Sequence, residues 1–303
     1  MRTTIEMRGV SKTFGQTPVL KNINWAVQDG TICGLIGPNG SGKSTLLRLA
    51  LGTIRATRGA IQILGHQMTG ENSYIRQHVQ YLAPGHLAFD SFLVEDSMRY
   101  ARYLYPKWDD TRFGRFLESL DISLQRPISR LSMGQQASLQ MAVALCTHPD
   151  LLLMDEATNG LDLVIKRQLT QLMIDMATEE GTTVVITSHN VSDIERITEN
   201  LTILLDGTII CNSSVDQFKH RLTRLQVVMP PRWSPSPSQY PQIKHIESRG
   251  RVWLLTIDGP INSMVQEFRK NGAILVEPLE MDLSDAYQTF LQLEGYTREA
   301  LRW

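Results

Sequence analysis

An α/β fold built on a mainly parallel sheet is what this sequence predicts, and three observations predict it. The apolar run Ile32–Ile36 leads into the glycine-rich GPNGSGKST of residues 37–45, then into Leu46, Leu47, Leu49 and Leu51 at helical spacing. A second apolar run, residues 151–154, ends in the paired carboxylates Asp155 and Glu156. Strand-length and helix-length segments alternate as far as residue 211, the pattern of a parallel sheet with helices on both faces.

Taken in order, the chain begins with weak alternation over residues 5–10 and 19–27, which predicts an antiparallel edge pair. Phe14 sits beside Gly15 in the turn between them. The segment 37–45 then carries chemistry. Gly37, Gly40 and Gly42 permit φ angles that side chains forbid, so the N–H groups around Pro38, Asn39 and Ser41 can turn into one hollow. A helix starting near Lys43 adds the positive end of its dipole. The product is a phosphate seat: Lys43 places a charge by β- and γ-phosphates, Ser44 is set to ligate Mg2+, and Thr45 completes the motif.

Short apolar runs follow at 61–64 and 79–82, separated by Gly65 and the polar stretch 70–72. Between residues 89 and 130 the spacing turns helical, through Phe92, Tyr100, Tyr103, Leu104, Phe113, Phe116, Leu117 and Leu120, with a break at Pro106 and residues 108–110. With a further helix over 133–147, this predicts a helical lobe, residues 87–148, inserted into the α/β domain. Its aromatics are expected mostly to pack internally, the alternative being an exposed partner groove among them.

In the strand 151–154 the carboxylates emerge at the C-terminal end, where open α/β sheets bind ligands. Asp155 is placed to hold Mg2+ directly or through water. Glu156 is placed to polarise a water attacking a γ-phosphate. The plainer alternative is an acidic strand end at the surface. A helix over 161–176 is expected to turn Leu161, Val164, Ile165, Leu169, Leu172, Met173 and Met176 inward. A strand over 184–187, a helix over 191–198 and a hairpin turning on Asp206 and Gly207 complete the pattern.

Ser132 and Gly134 open the 133–147 helix and offer a second anion seat, with a hydroxyl, a close-approach backbone and a dipole end. One nucleotide cannot use two distant helix tips of one fold unaided, so this seat is expected to serve the nucleotide of a second subunit. The segment Leu131-Ser-Met-Gly-Gln-Gln136, between the phosphate loop and the strand ending in Asp155-Glu156, resembles the signature of ATP-binding cassette (ABC) ATPases. The resemblance spans nearly all of residues 1–220.

It implies a P-loop NTPase cassette that binds ATP and Mg2+, with Ser132, Gly134 and Gln135 on the nucleotide of the opposite copy. Phe14 resembles the aromatic that stacks on adenine, the alternative being internal packing. His189, after a strand, resembles the switch histidine at the γ-phosphate, so that Glu156, His189 and Lys43 form the catalytic set. Asn159 to Asp162 resemble the loop that crosses the dimer interface. Ala157 stands where the family often has proline, which loosens the turn but removes no reactive group. The departure is at Pro84, which falls about where the family carries a glutamine that meets Mg2+; Gln80 precedes that place, and His86 is a candidate substitute. The implied partners are a second cassette, identical or different, and a separate transmembrane permease subunit. The implied location is the cytoplasmic face of the membrane. Residues 281–291 and 103–120 are similar to pieces of cassettes from bacterial drug, peptide and antibiotic exporters.

Past residue 220 the pattern changes. A strand at 225–229, a proline-rich stretch at 230–241, strands at 243–247 and 252–257, a helix, a strand and a closing helix predict a small α+β domain, residues 221–303. Trp233, Trp253 and Trp303 there are expected to be packing residues. Formal net charge is −1, without a basic stripe, so no direct contact with nucleic acid is expected. The three cysteines, Cys33, Cys146 and Cys211, lie far apart and read as reduced. No run of eighteen apolar residues and no signal-peptide plan is present, so any membrane role is expected through a partner. Two other readings stand beside the transport motor: a cassette acting on nucleic acid or ribosomes, and a non-hydrolysing sensor that works by dimerising.

Overall fold

The computed structural model describes residues 2–69, 72–83, 92–158, 163–188, 190–230 and 239–296. Pro84, His86, the loop 159–162, His189, Trp233 and Trp303 lie outside them. The chain divides into two compact units, Met1–Asn212 and Ser213–Trp303.

In the first unit, β1 (Thr3–Phe14) and β2 (Thr17–Gln28) pair antiparallel. β3 (Ile32–Ile36) leads into α1 (Lys43–Leu51). β4 (Arg58–Ile63) and β5 (His66–Gln67) join the edge sheet in the order β2-β1-β4-β5. After α2 (Ser73–His78) and β6 (Val79–Leu82) come the lobe helices α3 (Val94–Leu104), α4 (Asp110–Ser119) and α5 (Met133–Leu145). The chain then returns to the sheet through β7 (Leu151–Asp155), α6 (Leu163–Glu179), β8 (Thr183–Thr187), α7 (Val191–Glu195), β9 (Asn200–Leu205) and β10 (Thr208–Ser214). The central sheet has the order β10-β9-β3-β8-β7-β6, with β3, β6, β7, β8 and β9 parallel.

Strands β3, β7 and β8 are buried along their whole length, as expected where helices cover both faces. Alternate residues of β7 serve opposite faces. Leu151 and Leu153 pack with Leu46, Leu47 and Leu49 of α1. Leu152 and Met154 pack with Met141 and Leu145 of α5 and Met173 and Met176 of α6. The helical lobe has its own core around Phe113, Leu117, Ile128, Leu131 and Leu139. Ion pairs fasten it to its surroundings: Arg112 donates to Glu180 at 2.8 Å, and Lys107 to Asp150 at 2.9 Å.

The second unit holds α8 (Val215–Arg221), β11 (Leu222–Val228), β12 (Ile243–Arg249), β13 (Val252–Asp258), α9 (Asn262–Lys270), β14 (Leu275–Leu279) and α10 (Leu283–Leu293). Its antiparallel sheet, ordered β12-β13-β11-β14, packs Leu225, Val227, Leu255 and Ile257 against Phe268 of α9. Trp253 packs partly against this core, in line with its expected role.

Two expectations about side chains are corrected. Val164 is 65% exposed rather than inward. The buried stripe of α6 runs through Leu169, Met173 and Met176, and Val164 shares its helical face with the exposed Arg167 and Gln168. Likewise Tyr100, Tyr103 and Leu104 are exposed, Tyr103 at 88%, while α3 buries Val94 and Ala101. Hydrophobic spacing gives no sign of helices α2 and α8. Asn72 caps α2, and Ser214 with Gln217 forms a capping box on α8.

The cysteines are unbridged. Burial pushes the Cys33 thiol up to about 11 and the Cys146 thiol up to about 12. A thiol reagent such as Ellman's is therefore expected to modify the native chain only at half-buried Cys211 and to reach all three sulfurs in denaturant. Timed thiol counting with peptide mapping checks this; rapid native modification of Cys33 or Cys146 would contradict it.

Candidate active site

The site grows from the turn between β3 and α1. At Gly37 a Cβ would lie 2.2 Å from the carbonyl oxygen of Leu204, so only glycine fits beside β9. Gly42 caps α1 with φ 107°, a left-handed conformation, and there a Cβ would meet Leu20 at 2.7 Å. Along the loop Pro38 is half-buried, Asn39 and Gly40 are exposed, and Ser41 is buried. No side chain caps this end of α1, so its first N–H groups, those of Lys43, Ser44 and Thr45, have no helical partner.

Two observations test whether the hollow suits an anion. The Ser41 hydroxyl is buried without a hydrogen-bond partner, a state that ordinarily marks a missing ligand or water. Lys43 is buried at 7% exposure, and its ammonium donates to the carbonyls of Gly37 at 2.8 Å and Pro38 at 3.1 Å. Burial lowers its pKa, while the charges of Glu156 and Asp155 push it back up. A lysine folded over its own loop at the open N-terminal tip of α1 suits a phosphate.

Asp155, at the end of β7, is buried and accepts from the Tyr81 hydroxyl at 3.0 Å and the Thr187 hydroxyl at 3.0 Å. Burial first, then the charge of Asp155, raises the Tyr81 phenol, which keeps it a donor. Glu156 follows with φ 54°, in the left-handed region that a glutamate seldom adopts. Its N–H donates to the Thr187 carbonyl at 3.2 Å and to the Thr187 hydroxyl at 2.9 Å. Among the described residues no cluster of three or more His, Cys, Asp or Glu could hold a metal. The donors present, a Ser44 hydroxyl and an Asp155 carboxylate, are hard oxygens. They suit Mg2+, which takes few protein ligands and fills its shell with water and substrate phosphate. Bound there, Mg2+ would supply neutralisation of phosphate charge.

The remaining expected residues fall in three places. Phe14 is 48% exposed at the tip of the β1–β2 hairpin, with the Lys12 ammonium 4.7 Å from its ring centroid, so it does not pack internally. Ser132 caps α5, accepting from the Gln135 N–H at 3.2 Å, while the Gln135 side chain accepts from the Ser132 N–H at 3.2 Å. Gln135 thus shapes the helix tip. Gly134 leaves that tip open: a Cβ there would meet nothing nearer than the Ser132 hydroxyl at 4.0 Å. Gln80 faces inward from β6, its amide nitrogen buried without a partner. Sequence reasoning missed Tyr81 and Thr187. A tyrosine and a threonine in apolar strands look like core, and only strand register brings them to Asp155.

A family model described as ABC transporter matches residues 20–159. The ABC transporter ATP-binding protein YtrB of Bacillus subtilis is 31% identical over 223 residues, which cover 74% of this chain and 76% of that protein. The chain belongs to the ABC transporter ATP-binding proteins. The bacitracin transport ATP-binding protein BcrA of Bacillus licheniformis, another ABC relative, is 28% identical over 225 residues, 73% of each chain. A solved structure described as the ATP binding subunit of an ABC transporter shares the cassette fold, with a TM-score of 0.67 at 23% identity over 72% of this chain and 92% of that one. No helix among the described residues is long and apolar enough to cross a membrane.

Proposed function

We propose that this ABC subunit hydrolyses ATP to drive an exporter, pairing with a second cassette around two ATP–Mg2+ and acting on a separate membrane subunit from the cytoplasmic face. One observation carries the reading: a second helix tip, that of α5, is exposed on the face of the central sheet opposite the one that carries α1. Helix α1 packs on one face of the central sheet with Leu151 and Leu153, and α5 on the other with Leu152 and Met154. Ser132 and Met133 at the α5 tip are exposed, Met133 at 88%. A seat so displayed is explained by a second chain whose glycine loop faces it, and two-fold symmetry then completes both sites at once. Within each site Lys43 and the α1 tip bind phosphate, Ser44 and Asp155 hold the metal, and Glu156 with His189 positions the attacking water. Residues 1–220 serve as the cassette with the lobe at 87–148, and residues 221–303 as an accessory domain. The outward direction is supported by the exporter-like segments of the sequence.

Complementation tests the pairing. Lys43→Ala spoils the glycine seat and Ser132→Arg spoils the α5 tip, so each chain alone should lack ATP turnover. Mixed in equal amounts, half of the pairs contain one intact composite site, and turnover should return to roughly a quarter of the wild-type rate. A mixture as inactive as its parts would rule out pairing between identical chains.

A further inference from the structure

Asp155 receives a hydroxyl on each of its carboxylate oxygens, from strands on either side. Strand β7 lies between β6 and β8. From β8, Thr187 is directly opposite Asp155 in register and donates to Oδ1 at 3.0 Å. From β6, Tyr81 is opposite Leu153, so its long phenol reaches past one pair to donate to Oδ2 at 3.0 Å. A carboxylate torsion is broad and two-fold when unconstrained, and a hydroxyl on each side removes that freedom. Each oxygen keeps a second lone-pair direction for another partner. The Thr187 hydroxyl does a further job: it accepts the N–H of Glu156 at 2.9 Å, in the turn where Glu156 takes its left-handed conformation. Packing alone does not call for these hydroxyls, since phenylalanine and valine would fill the same volumes.

We propose that Tyr81 and Thr187 are positioning residues, holding Asp155 in the orientation that receives the divalent metal and tying that orientation to Glu156 through its amide. The inference rests on the reading of Asp155 as a metal ligand. In it Tyr81 and Thr187 touch neither nucleotide nor metal; they act through Asp155.

The experiment measures Mn2+ binding by electron paramagnetic resonance in the presence of a non-hydrolysable ATP analogue, and analogue binding in EDTA, for the full chain and its variants. Tyr81→Phe is expected to weaken Mn2+ binding about tenfold while metal-free binding of the analogue changes by less than about twofold. Thr187→Val should do the same, and Thr187→Ser, which keeps the hydroxyl, should restore it. Tyr81→Phe decides the matter where Thr187→Val does not fold. Wild-type Mn2+ affinity in Tyr81→Phe, or an equal loss of metal-free binding, overturns the clamp. Failure of the wild-type chain itself to take up Mn2+ with the analogue overturns the reading of Asp155 and the clamp with it.

Discussion

Lys43→Ala is expected to weaken ATP binding by a hundredfold or more while leaving the ligand-free fold in place. The ammonium is buried, and burial is the leading cause of its lowered pKa, offset by Glu156 and Asp155. Removing one partner of a desolvated charge pair costs about 2–5 kcal/mol of binding, and about 1.4 kcal/mol is a factor of ten. The sign for stability is opposite. A lysine whose folded pKa lies below its unfolded value holds its proton less tightly when folded. Its burial therefore opposes folding fully at pH below the folded pKa, and that penalty fades as pH rises through the window between the two values. Alanine removes this penalty but also strands the carbonyls of Gly37 and Pro38, which now accept from the ammonium. The two effects oppose each other, so the Tm without ligand should shift by only a few degrees, roughly 2–4 °C per kcal/mol for a domain of this size. Equilibrium nucleotide binding and a thermal melt of the same sample check both parts. Unchanged affinity would remove Lys43 from the phosphate site, and collapse of the fold would make it a structural residue.

What the sequence made legible follows from where each signal resides. Strands β3 and β7 read correctly because parallel strands covered on both faces are uninterrupted apolar runs, and the glycine loop and the carboxylate pair sit at their ends. The α+β character of the second unit was legible too, through alternation and the proline-rich stretch. Helices α2 and α8 were not, because six and seven residues are too few for a periodic stripe; their signals are the caps at Asn72 and Ser214. Val164 and Tyr103 misled for a related reason. A set of apolar residues at mixed helical offsets covers more than one face, and the structure selects one. Tyr81 and Thr187 were illegible in principle, since their partner lies 74 and 32 residues away and meets them only through sheet order.

Glu156→Gln should leave ATP binding within about threefold of wild type and slow turnover by roughly 10²–10⁴, the range for loss of a positioned general base. The change keeps shape and size while removing the charge that can polarise a water. It should also lengthen the lifetime of the ATP-bound pair, because the pair is expected to part only after cleavage. Turnover assays and light scattering with ATP and Mg2+ measure these two outcomes. Turnover that survives the substitution would place the base elsewhere; turnover abolished by it eliminates the non-hydrolysing sensor. A second variant separates chemistry from backbone. Glu156 has φ 54°, held by its N–H bonds to Thr187, and such a conformation in a non-glycine residue costs about 1–3 kcal/mol. Glu156→Gly should relieve that strain and raise the Tm of the ligand-free chain while abolishing turnover. A lower Tm would mean that the glutamate side chain stabilises the turn by more than the backbone opposes it. A higher one makes Glu156 a residue whose backbone conformation weakens the fold.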